Sequence, residues 1–226
     1  MSPLLRDALA IATHDLRREL RRPVAASAVL LFGCSSLVVL RLALAGSGRP
    51  ASAVLAGALW VVLVFAALLG TARAWAAERE DGALDALLQS PASRSALHLG
   101  KVAGAFVTTL VLHALLVVLY VGLFAPPEHA RGVFVLAGGV VLAALGFASV
   151  GVLVAGLSLR ARGRDLLGPT MFLPLAIPLV IAAVTTSLVA YGASDTEPST
   201  VLLFLLAYDA TFLVAGLAVF PELAVE

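Results

Sequence analysis

The sequence predicts an all-α integral membrane protein with six transmembrane helices, and two observations carry that prediction. The 226 residues are 61% hydrophobic and only 13% charged, with a mean hydropathy of +1.05. Soluble domains average roughly 45–50% apolar and about 25% charged residues, so one soluble core of this size cannot bury such an excess. Six hydrophobic segments also follow one another along the chain. Lipid is therefore expected to solvate much of the surface.

Each hydrophobic segment is about 20 residues or longer, which as a helix covers the ~30 Å hydrocarbon layer of a bilayer. The predicted spans are residues 24–45, 53–72, 102–124, 133–159, 166–191 and 200–220. They are apolar on every face rather than at alternate positions, which favours helices over a membrane β-barrel. No A-x-A-type site promptly follows the first span, so it is not expected to be a cleaved signal peptide. We predict a single transmembrane domain over residues 1–226.

Basic residues fall almost entirely on one side of these spans. That side receives twelve of the 15 basic residues: Arg6, Arg17, Arg18, Arg21, Arg22, Arg73, Arg79, Arg94, Lys101, Arg160, Arg162 and Arg164. The other side receives only Arg41, Arg49 and Arg131. By the positive-inside rule, we predict that both termini and the loops of residues 73–101 and 159–165 are cytoplasmic.

Residues 1–22 predict an amphipathic helix at the membrane surface. One face carries apolar residues at spacings of three or four: Leu5, Leu9, Ala12, Leu16 and Leu20. The rest of the helix carries the basic residues Arg6, His14, Arg17, Arg18, Arg21 and Arg22, which suit anionic lipid headgroups. Ser2 and Pro3 fit the cap and the first helical position. The alternative is a positive flank that only sets the topology.

A short cytoplasmic helix is predicted within the loop of residues 73–101. Leu84, Leu87 and Leu88 share one helix face, and the segment stops before Pro91. Apolar anchors surrounded by charge suit the docking of a cytoplasmic partner. The predicted docking residues are Glu80, Asp81, Gly82, Leu84, Asp85, Leu87, Leu88 and Pro91. The alternative is that these leucines rest on lipid. Ser93 is predicted to begin the next helix, which continues into the third span.

The fifth span carries three prolines, Pro169, Pro174 and Pro178, within ten residues. Each proline lacks a backbone donor and disturbs the preceding turn. Such breaks persist in membranes where neighbouring helices or a cavity satisfy the freed carbonyls. We predict a bent or hinged helix at the centre of the protein.

Two ionisable residues, His113 and Asp209, lie near the middle of the third and sixth spans. Ionisable groups inside a membrane are costly and suggest a functional site by default. Each also has a structural alternative: His113 can hydrogen-bond a neighbouring helix, and Asp209 can be a packing group with Tyr208 as a local partner. A proton-coupled carrier using both residues is a competing hypothesis, but paired intramembrane charges and signs of inverted repeats are missing.

The sequence contains no phosphate-binding loop. Lys101 is the only lysine and follows Gly100, but Ser95 and Val102 stand where G-x-x-x-x-G-K-[ST] requires Gly and Ser or Thr. The single cysteine, Cys34, excludes an internal disulfide framework. Haem-attachment, zinc-protease and nucleophile-elbow motifs are likewise missing. We therefore predict a non-catalytic chain with no cofactor of its own and no site for ATP hydrolysis.

The loop of residues 73–101 resembles that of the permeases of type-2 (ABC-2-like) ATP-binding cassette exporters. The similarity runs over EDGALDALLQSP at residues 80–91 and continues at Gly100-Lys101. Within that superfamily the chain most resembles the haem exporter B (CcmB) family of cytochrome c maturation. This likeness is carried by Arg18-Glu19-Leu20-Arg21, by residues 151–157 and by LPLAIPLVIAA at residues 173–183. The acidic C-terminal tail departs from members that end in a basic, alanine-rich segment.

The resemblance implies a permease subunit for haem export or delivery in cytochrome c biogenesis, in the bacterial cytoplasmic (inner) membrane. The implied partners are a cytoplasmic ATPase, a second permease copy or related membrane subunits, and indirectly a periplasmic haem chaperone. Haem would be a transported or relayed species, lipid would surround the spans, and no nucleic acid is expected. The alternative is a permease of another ABC-2 type exporter that moves a drug, a lipid or a polysaccharide precursor.

Overall fold

The structure is a computed structural model that describes residues 2–21, 23–46, 48, 50–75, 92–126, 130–158 and 164–223. These residues form seven helices: α1 (Pro3–Arg21), α2 (Val24–Ala43), α3 (Ser52–Thr71), α4 (Arg94–Phe124), α5 (Ala130–Leu157), α6 (Arg164–Ala190) and α7 (Pro198–Leu223). No strand occurs within the described ranges. The prediction of an all-α fold is confirmed for this part of the chain.

Six of these helices are long and apolar enough to cross a membrane. The candidate spans are Val24–Ala43, Ser52–Thr71, Arg94–Phe124, Gly132–Leu157, Gly168–Ala190 and Pro198–Phe220. Each overlaps one predicted span, which confirms their number and order among the described residues. Helix α4, which contains the third span, begins at Arg94, well before the predicted start of that span at residue 102. It does so because the Ser93 side chain accepts a hydrogen bond from the Ala96 amide at 3.2 Å, as expected of a cap.

The central helix of the bundle is α5, which contacts α3, α4, α6 and α7. Small residues along α5 allow these close approaches: a Cβ added at Gly139 would lie 2.5 Å from the Thr186 side chain, and one added at Gly151 would overlap Thr71. Membrane helices lack a hydrophobic force between them, so small residues that admit a neighbour's side chain largely decide where they pack. The glycines of α5 therefore place α3 and α6 against it.

Contacts between helix termini show which termini lie together at each end of the bundle. At one end, the Tyr120 hydroxyl donates to the Leu55 carbonyl at 2.9 Å, and Arg41 Nε donates to the Leu123 carbonyl at 2.9 Å. The opposite end, here called the arginine-rich end, joins α1, the start of α4 and the last turns of α7. These helix termini are the ones that the sequence places on the side of the spans rich in basic residues. Which face of the membrane the arginine-rich end occupies stays a prediction.

Helix α1 packs along α4 through its small residues rather than its leucines. A Cβ added at Gly100 of α4 would lie 2.8 Å from the Ala8 carbonyl oxygen and 2.7 Å from Ile11 Cβ. Leu5 and Leu9 are 54% and 56% exposed, on the side turned away from the bundle. An apolar surface of this kind suits contact with lipid. The placement of α1 on the membrane surface nevertheless stays a prediction.

Helix α4 ends in a backbone conformation that alanine rarely adopts, which gives a stability prediction. Ala125 has φ 41° and ψ 59°, in the left-handed region. There a Cβ costs roughly 1–2 kcal/mol, so Ala125→Gly is expected to raise the thermal unfolding temperature in detergent by a few degrees. Ala72 closes α3 with φ −55° and ψ −22°. The control Ala72→Gly should lower that temperature instead, and equal shifts in the two variants would contradict the prediction.

Candidate functional site

The predicted docking residues lie outside the described residues: Glu80, Asp81, Gly82, Leu84, Asp85, Leu87, Leu88 and Pro91. The docking prediction therefore stays untested. What the structure does describe is how the chain enters and leaves that segment. Trp75 precedes it, and Ser93 and the first turns of α4 follow it.

Three buried aromatic side chains, Trp75, His98 and Phe220, meet at the arginine-rich end, and we call them the aromatic clamp. Trp75 stacks on Phe220 with ring centroids 5.0 Å apart and planes at 16°. His98 lies against the same phenyl ring, with its centroid 5.6 Å away. Trp75 Nε1 also donates to the Val152 carbonyl of α5 at 3.4 Å. Both flanks of residues 76–91 are thus held on α7, and one of them also on α5.

His98 can pack closely against α7 because the residue beside it there is Gly216. A Cβ added at Gly216 would overlap His98 Nε2, so only glycine leaves room for the imidazole ring. Neither ring nitrogen of His98 has a hydrogen-bond partner within the described residues. Its position is therefore set by packing against Phe220 and Gly216.

An ion pair between a buried lysine and a partly exposed aspartate joins α1 to the clamp. Lys101 is only 3% exposed, and its Nζ lies 3.0 Å from the Asp15 carboxylate. The same ammonium group lies 5.1 Å from the centroid of the Trp75 ring, within range of a cation–π interaction. Loss of Asp15 would leave the buried ammonium group of Lys101 without this counter-charge, so the pair fixes α1 against α4. Lys101 is thus a structural anchor, a role that the motif comparison did not assign to it.

Sequence reasoning did not identify the aromatic clamp or the Lys101–Asp15 pair as sites. Trp75 and His98 lie far from Phe220 in the chain, and no local pattern joins rings across such separations. One signal was available: Asp15 continues the stripe of Ala8, Ile11 and Ala12 at helical spacing, which is unusual for a carboxylate on an apolar face. The only lysine in the sequence, Lys101, just before the third predicted span, was its natural partner.

His113 is fully buried at the middle of α4 and hydrogen-bonds the neighbouring helix α3. Its Nε2 lies 3.1 Å from the Leu63 carbonyl oxygen. A carbonyl only accepts, so Nε2 carries the hydrogen and the neutral ring presents a lone pair at Nδ1. Among the described residues Nδ1 has no partner. The structural alternative, a bond to a neighbouring helix, is therefore present, while a functional role for His113 stays a prediction.

Asp209 is 1% exposed and faces α5. Its Oδ1 lies 2.6 Å from where a Cβ on Gly146 would stand, and neither carboxylate oxygen has a hydrogen-bond partner within the described residues. The expectation that Tyr208 is its local partner is wrong, because the Tyr208 hydroxyl donates to the Leu175 carbonyl of α6 at 2.6 Å. Successive residues on a helix point about 100° apart, so the two side chains reach different neighbours.

His113 and Asp209 approach α5 at the same level from different sides. The His113 ring stands edge-on to Phe147, with centroids 5.9 Å apart, while Asp209 lies over the adjacent residue, Gly146. Phe147 also stacks on Phe172 of α6 at 6.1 Å. An aromatic layer therefore lies between the histidine and the helix that carries the prolines. In the described ranges, no three His, Cys, Asp or Glu side chains are grouped so that they could hold a metal ion.

Pro169, Pro174 and Pro178 all lie inside α6, which runs without interruption from Arg164 to Ala190. The Tyr208 hydroxyl bonds the Leu175 carbonyl in this stretch, so α7 supplies a polar contact beside the prolines. Such support is what membrane helices need around proline. A hinge at these residues stays a prediction.

A model of the CcmB protein family matches residues 6–225, which is nearly the whole chain. The chain belongs to the CcmB family. No curated protein matched it. Membership of the CcmB family makes it a membrane component of the haem-exporter ATP-binding cassette system of cytochrome c maturation, and the six candidate spans make it multi-pass.

Proposed function

We propose that this chain is the membrane-spanning permease subunit of an ATP-binding cassette complex that exports or delivers haem for cytochrome c biogenesis. The observation that carries the proposal is the CcmB family match over residues 6–225 of a chain with six candidate spans. A separate cytoplasmic ATPase supplies the energy, and haem is the cargo or relayed species rather than a cofactor of this chain. A second permease copy or related membrane subunits complete the complex, and a periplasmic haem chaperone receives its output.

In this proposal the arginine-rich end faces the cytoplasm of the bacterial inner membrane, and the ATPase docks on residues 80–91. The aromatic clamp then acts as the mechanical link. Movement of the docked segment reaches α7 through Trp75 and Phe220, and reaches α5 through the Trp75–Val152 hydrogen bond. The proline-containing helix α6 packs against both α5 and α7, so its bending would follow.

The docking assignment predicts that Leu84→Asp/Leu88→Asp abolishes ATPase association. Two charges on the apolar face remove the anchors that provide affinity at such an interface. The measurement is co-purification of the ATPase from membranes that co-express both proteins. The matched control is Ala86→Asp/Gln89→Asp, which adds the same charge on the opposite side of the predicted helix and should leave association within about twofold of wild type.

Undiminished ATPase recovery with the leucine variant would overturn the docking assignment, since leucines that only rest on lipid predict that result. The cargo assignment is checked separately in a strain that lacks this gene. Loss of covalently haem-loaded cytochrome c, restored by the wild-type gene, is expected. A deletion strain with normal cytochrome c would favour another ABC-2 type exporter.

A further inference from the structure

The two halves of α6 differ in how far the bundle encloses them. Six of the twelve residues from 170 to 181 are exposed: Thr170, Met171, Pro174, Ile177, Pro178 and Ile181. None of the ten residues from 182 to 191 is exposed. We call residues 170–181 the proline segment and residues 182–191 the enclosed segment. The burial of the chain therefore changes within one continuous helix and the residue that follows it.

Side-chain hydrogen bonds fasten the enclosed segment to α3 and α4. Trp60 Nε1 of α3 donates to Ser187 Oγ at 2.8 Å, and both residues are fully buried. The Tyr191 hydroxyl lies 3.2 Å from the Tyr120 hydroxyl of α4, which itself donates to the Leu55 carbonyl of α3. Within a membrane no water replaces a lost partner, so such bonds resist separation. We call the side chains of Trp60, Ser187, Tyr120 and Tyr191 the polar network.

Helix α5 also holds the enclosed segment, through two of its glycines. A Cβ added at Gly132 would overlap the Ala190 carbonyl oxygen, and one added at Gly139 would lie 2.5 Å from Thr186 Cγ2. Contacts this close leave little room for the two helices to slide past each other. The enclosed segment is therefore held by three helices.

The proline segment has fewer helical hydrogen bonds and different neighbours. Its two prolines have no amide hydrogen, so the bonds to the carbonyls four residues earlier are missing. Tyr208 of α7 donates to the Leu175 carbonyl between these prolines, and Phe172 stacks on Phe147 of α5. The aromatic clamp contacts the same two helices, α5 and α7. Movement at the clamp therefore reaches the proline segment through both of them.

We propose that the polar network is the fixed point of the permease and that the proline segment is its moving part. Movement that enters α5 and α7 at the arginine-rich end bends α6 at Pro174 and Pro178, while residues 182–191 keep their packing. The bundle then opens at the arginine-rich end and stays closed at the opposite end. The driving force in this proposal rests on the proposed function, whereas the difference in stiffness between the two segments does not.

The difference in stiffness is measured by pulsed electron paramagnetic resonance on the full chain in lipid nanodiscs. Spin labels are attached to pairs of cysteines in a Cys34→Ser background. Val118→Cys, at an exposed position of α4, is the common reference. Its partner is Met171→Cys in the proline segment or Thr185→Cys in the enclosed segment. These measurements need no ATPase, so their outcome is independent of the proposed function.

We expect the Val118–Met171 distance distribution to be roughly twice as broad as the Val118–Thr185 distribution, because the prolines weaken the helix on one side only. Pro174→Ala/Pro178→Ala restores the two helical bonds and should narrow the first distribution to about the width of the second. Each label pair is its own control for the mobility of the labels. Equal widths for the two pairs, or an unchanged Val118–Met171 width in the proline variant, would overturn the proposal.

The polar network is tested with Ser187→Ala/Tyr191→Phe. These two substitutions remove the bonds to α3 and α4 with little change in side-chain volume. They should broaden the Val118–Thr185 distribution, because the enclosed segment then loses its polar contacts with both helices. An unchanged width would contradict the role of the network as the fixed point.

In cells, the proposal predicts that a cross-link to the enclosed segment is tolerated. A Cβ at Gly139 would lie 3.1 Å from Thr186 Cβ, close to the ~3.5–4.5 Å that disulfides span. Oxidised Gly139→Cys/Thr186→Cys should support cytochrome c maturation as well as its reduced form does, whereas Pro174→Ala/Pro178→Ala should abolish it. Maturation lost only on oxidation, or normal maturation in the proline variant, would overturn the proposal. A deletion strain with normal cytochrome c would refute the proposed function instead, and the label distances would still decide this inference.

Discussion

Phe220→Ala is expected to abolish cytochrome c maturation while the ATPase still associates with the membrane subunit. Phe220 is 2% exposed and is the ring on which both Trp75 and His98 pack. Its truncation leaves a cavity between α4 and α7, which in a protein core costs about 3–5 kcal/mol. The docking residues are untouched, but both flanks of residues 76–91 lose their contact with α7. The ATPase would then bind, but its movement would not reach the membrane-spanning helices.

This effect is measured as covalently haem-loaded cytochrome c in cells, together with ATPase recovery on purified membranes. Val219→Ala, at the neighbouring exposed position, is the control and should behave as wild type. Gly216→Ala offers a second route to the same defect, because the added Cβ overlaps His98 Nε2 and displaces the imidazole without removing a ring. Normal cytochrome c in both Phe220→Ala and Gly216→Ala would refute the mechanical link.

Much of the fold could be predicted from the sequence because its signals are local. A hydrophobic run long enough to span lipid is a property of some 20 consecutive residues, and so is a serine cap such as Ser93. The start of α4 at Arg94 lies outside the predicted span because hydropathy marks where lipid begins, not where the helix begins. The predicted cap, Ser93, marks the start of α4 correctly.

The aromatic clamp and the surroundings of Asp209 could not be predicted from the sequence. Trp75 meets Phe220 only because α3 and α7 end at the same end of the bundle, which requires the packing of all the helices. Tyr208 and Asp209 are neighbours in the chain, yet the hydroxyl reaches α6 and the carboxylate faces α5. Successive residues on a helix point about 100° apart, so the expected pairing of Tyr208 with Asp209 was wrong. The docking residues were predicted by resemblance and by a leucine-faced pattern.

Gly146→Ala is expected to destabilise the protein, although alanine is the better helix former by about 1 kcal/mol. The added Cβ would lie 2.6 Å from Asp209 Oδ1 and 2.8 Å from Leu179 Cδ1, and each of these side chains is buried. Overpacking of this kind costs roughly 1–3 kcal/mol, so after the gain in helix propensity the net loss is up to about 2 kcal/mol, a fall of a few degrees in the thermal unfolding temperature. Gly138→Ala is the control on the same helix, because its Cβ would make an ordinary contact with Leu202 at 3.5 Å.

The origin of that destabilisation can be isolated with a second substitution at Asp209. If the carboxylate is a packing group over Gly146, Asp209→Ala should relieve part of the clash, and the double variant should unfold at a higher temperature than Gly146→Ala alone. Asp209→Asn keeps the shape and should retain cytochrome c maturation. A proton-coupled carrier predicts the reverse, since the amide cannot release a proton. Loss of maturation in a stably folded Asp209→Asn protein would therefore assign Asp209 a role in transport rather than in packing.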